Sequence, residues 1–196
     1  MDVHEQIVVK GGGLDGPVIV SSLEELQSLQ ARLAQIARNA AQAQQEADEA
    51  QGAEPSQALQ LVPAPMEELE ISYLEGVHED FFEMLELDLD GLVLWFQQLR
   101  QLKQPQRAAL YFWRVFRSRS LPESLDHIEK LEILAGDAAD VMEEMHEIRG
   151  ELEQIPEPFV HYIDWGRMAH DWLDRGELVI FQFEGMEWVV MNPPEL

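Results

Sequence analysis

Apolar residues recur at helical spacing along most of the chain, and short β-branched runs occur near both ends. The runs 7–10 and 17–20 flank three consecutive glycines, which predicts an N-terminal hairpin. A Glu-Gly pair separates two further runs, 178–183 and 188–191, which predicts a C-terminal hairpin. The pattern therefore predicts an α+β fold that is predominantly helical.

A long helix is predicted after the first hairpin, because Ser22 and Glu25 have the spacing of a capping box. Its apolar row advances in alternating steps of three and four residues, as in a heptad seam. The row consists of Leu26, Leu29, Leu33, Ile36, Ala40, Ala43, Ala47 and Ala50. Its four large residues, Leu26, Leu29, Leu33 and Ile36, are the candidates for a homodimer interface, with packing inside their own domain as the alternative.

Prolines and small residues at 52–65 predict a linker. This divides the chain into an N-terminal unit at 1–51, formed by the hairpin and the coiled-coil-like helix, and an acidic helical domain at 66–196 that ends in the second hairpin.

Helix signals are frequent in the second of these domains. Asp90 is expected to cap one helix, and apolar residues at steps of three predict another over 122–135 that ends at Gly136. Asp137 and Asp164 are expected to cap two more, and Gly176 to end the last.

Charged residues are unevenly distributed along the chain. The 196 residues carry 38 acids and 13 Lys or Arg, which gives a net charge of −25. Six of the bases lie between residues 100 and 119, where there is no acid: Arg100, Lys103, Arg107, Arg114, Arg117 and Arg119. Aromatic residues accompany them, and against the acidic background we expect core packing, with the arginines bound to neighbouring acids or to a second subunit.

Composition excludes several classes of protein. The acidity argues against direct binding of nucleic acid or an anionic membrane, and the absence of Cys excludes disulfides and thiolate metal sites. No apolar run spans a membrane and no signal peptide is evident, so a cytoplasmic protein is expected. Glu75 and His78, like Glu143 and His146, have di-iron spacing, but the neighbouring helices lack the further carboxylates required. We therefore expect no metal, no cofactor and no enzymatic activity.

The acids of 123–153 recur at steps of mostly three and four residues, which places carboxylate rows on the predicted helices. The rows contain Glu123, Asp126, Glu129, Glu132, Asp137, Asp140, Glu143, Glu144, Glu147 and Glu151. Two such helices side by side would carry roughly one charge per 2.6 Å, against about 1.7 Å in duplex DNA. A solvated acidic face and a halophilic source are the alternatives.

The segment from Tyr162 to Leu173, followed by Gly176 and a hairpin, resembles the C-terminal signature of ArdA-type antirestriction proteins. The resemblance covers roughly residues 70–191 and does not extend to residues 1–65. It implies a dimeric, phage- or plasmid-borne DNA mimic that occupies the DNA site of type I restriction–modification enzymes. Asp164, Asp171 and Asp174 then join the ten acids above as candidate phosphate mimics.

Two functions are therefore expected from the sequence. The first is a DNA mimic that inhibits a nucleic-acid-binding host defence protein. The second is an acidic coiled-coil adaptor or chaperone that holds a basic protein partner. The acids would form one continuous face in a mimic and would be scattered around the body in an adaptor.

Overall fold

The structure, a computed structural model, describes residues 5–50, of which 47–50 by backbone alone, and residues 69–194. It confirms a mixed α+β fold in which helices predominate. The chain forms two compact units, Met1–Gln101 and Leu102–Leu196. The helices of the described residues are α1 (Leu23–Ala50), α2 (Glu79–Leu85), α3 (Leu89–Gln97), α4 (Gln104–Tyr111), α5 (Leu121–Leu125), α6 (Ala138–Ile148), α7 (Glu157–Val160) and α8 (Trp165–Arg175).

Among the described residues, each unit contains one three-stranded antiparallel sheet. The strands are β1 (Gln6–Lys10), β2 (Val18–Val20), β3 (Glu70–Glu75), β4 (Ile133–Ala135), β5 (Val179–Phe183) and β6 (Met186–Val190). Their order is β2-β1-β3 in the first unit and β4-β6-β5 in the second.

The first unit packs α1 and α3 against one another beside its sheet. Leu26, Leu29 and Leu33 are at most 4% exposed, so the first half of the heptad row belongs to the core of its own unit. The dimer interface assigned to these leucines is therefore wrong, since their apolar surface is already covered within the chain. Ile36 is half-buried beside Gly13.

The second half of α1 is exposed from Arg38 to Glu46, including Ala40 and Ala43 of the predicted seam. The side chains of Ala47 and Ala50, and the linker predicted at 52–65, lie outside the described residues. The two units also divide the chain differently from the predicted boundary at 66. Strand β3 pairs with β1, Ile7 opposite Tyr73 and Val9 opposite Ile71, which assigns 70–101 to the first unit.

The second unit has three layers. Alternate strand residues direct Phe181 and Phe183 towards the aromatic rings of α4 and the π-helical turn Phe112–Phe116 that follows it. The opposite face of the sheet, with Ile180 and Val189, packs against α6 and α8. This unit thus buries both faces of a small sheet, with α6 and α8 side by side on one of them.

The helix predicted over 122–135 is wrong. In the structure this segment forms the short helix α5, a 3₁₀ turn at Ile128–Lys130, and then strand β4. Leu134 pairs with Val189 of β6, 55 positions further along the chain. Apolar residues at steps of three had indicated a helix, but this non-local pairing outweighs the local preference.

The predicted helix ends are mostly confirmed. Asp137 and Asp164 cap α6 and α8, accepting hydrogen bonds from the backbone N–H groups of Ala139 (2.9 Å) and Arg167 (2.9 Å). Gly176 ends α8 in the left-handed conformation, with φ of 71°. There are two exceptions. Helix α3 is capped by Asp88 and not by Asp90, and Gly136 follows strand β4 instead of ending a helix.

Candidate partner-binding surface

The surface of α6 that faces away from the core consists of carboxylates. Asp140, Glu143, Glu144 and Glu147 are all exposed. At 100° per residue their mean direction is opposite to that of the buried residues, which are Ala138, Val141, Met142 and Met145. We call these four acids the α6 acidic face.

The spacing of this face is close to that of phosphates on one DNA strand. From Asp140 to Glu147 is a rise of about 10.5 Å at 1.5 Å per residue, or about 3.5 Å for each interval between the four charges. One strand of duplex DNA carries a charge about every 3.4 Å. Helix α6 contains no Lys or Arg, and no described residue pairs with the four carboxylates through a hydrogen bond or ion pair.

All thirteen candidate acids are exposed, but seven of them have interactions of their own. Asp137 and Asp164 cap helices. The other five each bind one side chain: Glu123 binds Ser120, Glu129 binds Gln106, Glu132 binds Arg149, Glu151 binds His146 and Asp174 binds His170. The carboxylates of Asp126 and Asp171, like the four of the α6 acidic face, make no hydrogen bond or ion pair with another described residue.

The acids at 123, 126, 129 and 132 do not form the predicted row, because no continuous helix carries them. Glu123 instead closes a capping box at α5. It accepts hydrogen bonds from the hydroxyl (2.8 Å) and the backbone N–H (3.2 Å) of Ser120. These bonds, the hydroxyl first, hold the pKa of Glu123 below its usual value.

Helix α8 has a mixed outer face. Arg167, His170, Asp171 and Asp174 all lie opposite its buried side and are exposed. His170 lies 3.6 Å from the carboxylate of Asp174. The charge row is therefore dense and free of bases on α6 and interrupted by bases on α8.

Four residues of the segment 162–173 pack in the core beneath α6. Trp165, Met168, Ala169 and Trp172 form the side of α8 that packs into the core shared with α6. The ring of His146, on α6, lies 5.4 Å from that of Trp165. These four of the twelve residues between 162 and 173 are therefore structural, whereas Tyr162 at the start of the segment is 85% exposed.

The arginines of the basic island, as we call the six bases between residues 100 and 119, make contacts within the chain. Arg107 makes a two-pronged ion pair with Glu184 at 2.8 and 2.7 Å, and both side chains are largely buried. Arg117 donates to the carbonyl of Pro194 and lies over the ring of Phe112.

The other arginines of the island are held in similar ways. Arg114 donates to the carbonyl of Arg119, whose own guanidinium lies 4.9 Å from the centre of the Trp113 ring. Arg100, in the first unit, lies over Phe96. Carbonyls and aromatic faces therefore bind most of this cluster, whereas the sequence predicts acids, which Arg107 does bind, or a second subunit.

The sequence analysis did not identify two aromatic side chains as exposed in the acidic stretch 157–164. Phe159 is 62% exposed and Tyr162 is 85% exposed, three residues apart on one turn. Exposed acids surround them in sequence, namely Glu157 and Asp164. Exposed aromatic residues often anchor protein interfaces, so an aromatic pair inside an acidic stretch was the available signal.

Sequence reasoning also missed a buried carboxylate in the first unit. Glu5 is 3% exposed and accepts hydrogen bonds from the hydroxyl of Tyr73 (3.1 Å) and the indole of Trp95 (3.2 Å). Burial, together with the charge of Glu5, raises the pKa of Tyr73 to about 12. Glu5 precedes β1 without any motif, so its sequence carries no signal of this role.

Neither di-iron motif forms a metal site. Across residues 5–46 and 69–194, no group of three or more His, Asp or Glu side chains is arranged to hold a metal ion. His146 instead binds Glu151, and His78 packs edge-on against Trp95. Within the same described residues, no helix has both the length and the apolar character needed to cross a membrane.

Comparisons of the chain with models of known protein families, with curated proteins and with solved structures find no match. A function for this protein is therefore inferred from the geometry of its surface and from the resemblance in its sequence.

Proposed function

We propose that this protein is a DNA mimic that inhibits a DNA-binding defence enzyme of its host, with a type I restriction–modification enzyme as the first target to test. The α6 acidic face carries this proposal. Its four carboxylates have the linear spacing of phosphates, and no base among the described residues neutralises them.

The mechanism is competition for a basic groove. An enzyme that binds DNA holds phosphates with Lys and Arg, and carboxylates presented on a helix can bind the same side chains. A rigid helix loses little conformational entropy on binding, whereas disordered acids would have to become ordered. Packing of α6 on α8 and the sheet supplies that rigidity.

A competition assay tests the proposal. Wild-type protein should inhibit DNA cleavage by a purified type I restriction enzyme, and inhibition should weaken as salt increases. The test variant neutralises the α6 acidic face: Asp140→Asn, Glu143→Gln, Glu144→Gln and Glu147→Gln. We expect its inhibition constant to increase at least about 10-fold, which is about 1.4 kcal/mol.

A control variant separates the α6 acidic face from overall charge by removing four exposed acids of the first unit. These substitutions are Glu24→Gln, Glu46→Gln, Glu75→Gln and Asp90→Asn. It should inhibit as the wild type does. Equal inhibition by the α6 variant and the wild type would show that α6 is not the contact surface.

The second candidate is an acidic adaptor or chaperone for a basic protein. The mixed outer face of α8 and the exposed aromatics Phe159 and Tyr162 favour this alternative, because phosphate mimicry uses neither. A pull-down from a bacterial lysate distinguishes the two functions. Competing duplex DNA should release the partner of a mimic and should leave the partner of an adaptor bound.

The proposal places the protein in the host cytoplasm, where such defence enzymes act. The homodimer and the coiled coil also stay predictions, and Leu26, Leu29 and Leu33 do not supply the interface because they are buried in their own unit. Analytical ultracentrifugation of the full chain tests the dimer directly.

A further inference from the structure

A groove in the first unit runs along β3, the edge strand of the β2-β1-β3 sheet, and beside helix α2. It encloses about 390 Å³. Ile71, Ser72 and Tyr73 line it from the strand, and Phe82 and Glu83 line it from the helix. The α6 acidic face belongs to the second unit, so this groove goes beyond the proposed function.

The lining shows that the groove follows the edge of the strand. Side chains of consecutive strand residues point to opposite faces, so three consecutive residues line one groove only where the strand's edge borders it. Among the described strands β3 pairs with β1 alone, which leaves its outer edge without a strand partner. Such an edge presents backbone N–H and C=O groups that an extended chain can pair with.

The far side of the groove is acidic. Glu83 and Glu86 are both exposed, and no other described residue pairs with their carboxylates. Helix α2 also carries Glu79 and Asp80 in its first turn and has no Lys or Arg. The rings of Tyr73 and Phe82 also line the groove, and their centres are 5.1 Å apart.

We propose that this groove binds an extended basic peptide segment of a partner protein, which adds to β3 as a fourth strand. Backbone pairing with β3 supplies affinity, and alternate side chains of the peptide supply specificity. Lys or Arg residues on one side reach Glu83 and Glu86, and apolar residues between them contact Ile71 and Phe82.

Charge argues against the two other occupants. In a second copy of this chain, β3 begins and ends with Glu70 and Glu75, and the same acidic helix would oppose it. Like charges at such close range are destabilising. The chain's own segment 51–68 contains three acids, three prolines and no Lys or Arg, so it lacks both the charge and some of the N–H groups required.

Binding of a defined probe to the full chain tests the proposal. The probe is a fluorescein-labelled octapeptide of alternating Lys and Val, measured by fluorescence anisotropy at about 0.15 M salt. A fully N-methylated peptide of the same sequence keeps the charge but cannot pair as a strand, so it should bind at least about 10-fold more weakly. An alternating Glu and Val peptide should not bind.

Variants locate the site. The pair Glu83→Gln and Glu86→Gln should weaken binding about 5- to 30-fold, whereas Glu46→Gln and Glu24→Gln, which remove the same charge from α1, should leave it unchanged. Amide NMR shifts should move in β3 and α2. Equal affinity for the N-methylated peptide, or equal weakening by the α1 variant, would show binding by bulk charge alone and would overturn the proposal. Shifts in β3 that depend on protein concentration without peptide would identify a second copy as the occupant, and would overturn it too.

Discussion

Neutralising the α6 acidic face should stabilise the second unit even as it weakens partner binding. The variant is the fourfold substitution Asp140→Asn, Glu143→Gln, Glu144→Gln and Glu147→Gln. A surface maintained for folding would lose stability when its charges are removed. A surface maintained for a partner should gain stability, because its like charges repel one another in the free protein.

The magnitude follows from the helical geometry. The four acids make four close pairs: 140 with 143 and with 144, and 147 with 143 and with 144. At about 0.2–0.5 kcal/mol for each like-charged pair, their removal gains about 1–2 kcal/mol at low salt. Asp140 in the first turn interacts favourably with the helix dipole and Glu147 in the last turn unfavourably, so these two contributions of about 0.3–1 kcal/mol oppose each other.

Urea unfolding followed by tryptophan fluorescence measures this effect. Four of the five tryptophans, at 113, 165, 172 and 188, lie in the second unit and therefore report on it. The gain should be present at about 0.01 M salt and largely lost at about 1 M, where the screening length falls from about 30 to 3 Å. A variant that is less stable than the wild type at low salt, or a gain in stability that salt does not change, would contradict this explanation.

Three further substitutions test the packing that supports these surfaces. Gly76→Ala should destabilise the first unit by about 2–5 kcal/mol in urea unfolding, because φ is 149° and the new Cβ would lie 2.0 Å from the Tyr73 hydroxyl oxygen. Gly16→Ala, with nothing within 4 Å, is its neutral control. Arg107→Ala should lower the free energy of unfolding by about 2–3 kcal/mol, because it leaves the largely buried carboxylate of Glu184 without its partner. Arg107→Lys should restore only part of this lost stability. Because the pKa of Tyr73 is raised to about 12, its hydroxyl contributes fully to stability below pH 10, and this contribution is lost as the pH increases towards 12. Tyr73→Phe should therefore remove this alkaline loss of stability. It should also remove one late step from the ultraviolet titration of the tyrosines.

Local signals in the sequence were sufficient where the structure depends on local interactions. Helix α1 begins at Leu23, and the hydroxyl of Ser22 accepts the backbone N–H of Glu25, as the capping spacing predicts. The carboxylate of Glu25 binds Ser21, one residue earlier than a standard box. The caps at Asp137 and Asp164 also depend on contacts within three residues, which is why their sequence patterns identify them.

The failures involve contacts between distant residues. Strand β4 was predicted as helix because its pairing with β6 spans more than fifty positions. Strand β3 has no strong pattern of its own and forms against β1, more than sixty positions away. The heptad row of α1 was ambiguous for the same reason, since Leu26 and Leu29 would show the same spacing whether they packed in their own unit or against a second chain.

In the second unit the arginines are bound within the structure, whereas the acids of α6 face solvent. Arginines 107, 114, 117 and 119 direct their guanidinium groups to a carboxylate, to carbonyls or to ring faces of the same unit. These arginines therefore contribute little to the electrostatic field in solvent, although they reduce the formal net charge of the chain. The exposed acids of α6 have no such partners among the described residues, and their field extends into solvent. A positively charged partner would thus approach a surface more negative than the sequence average implies, and its association rate should fall steeply with salt.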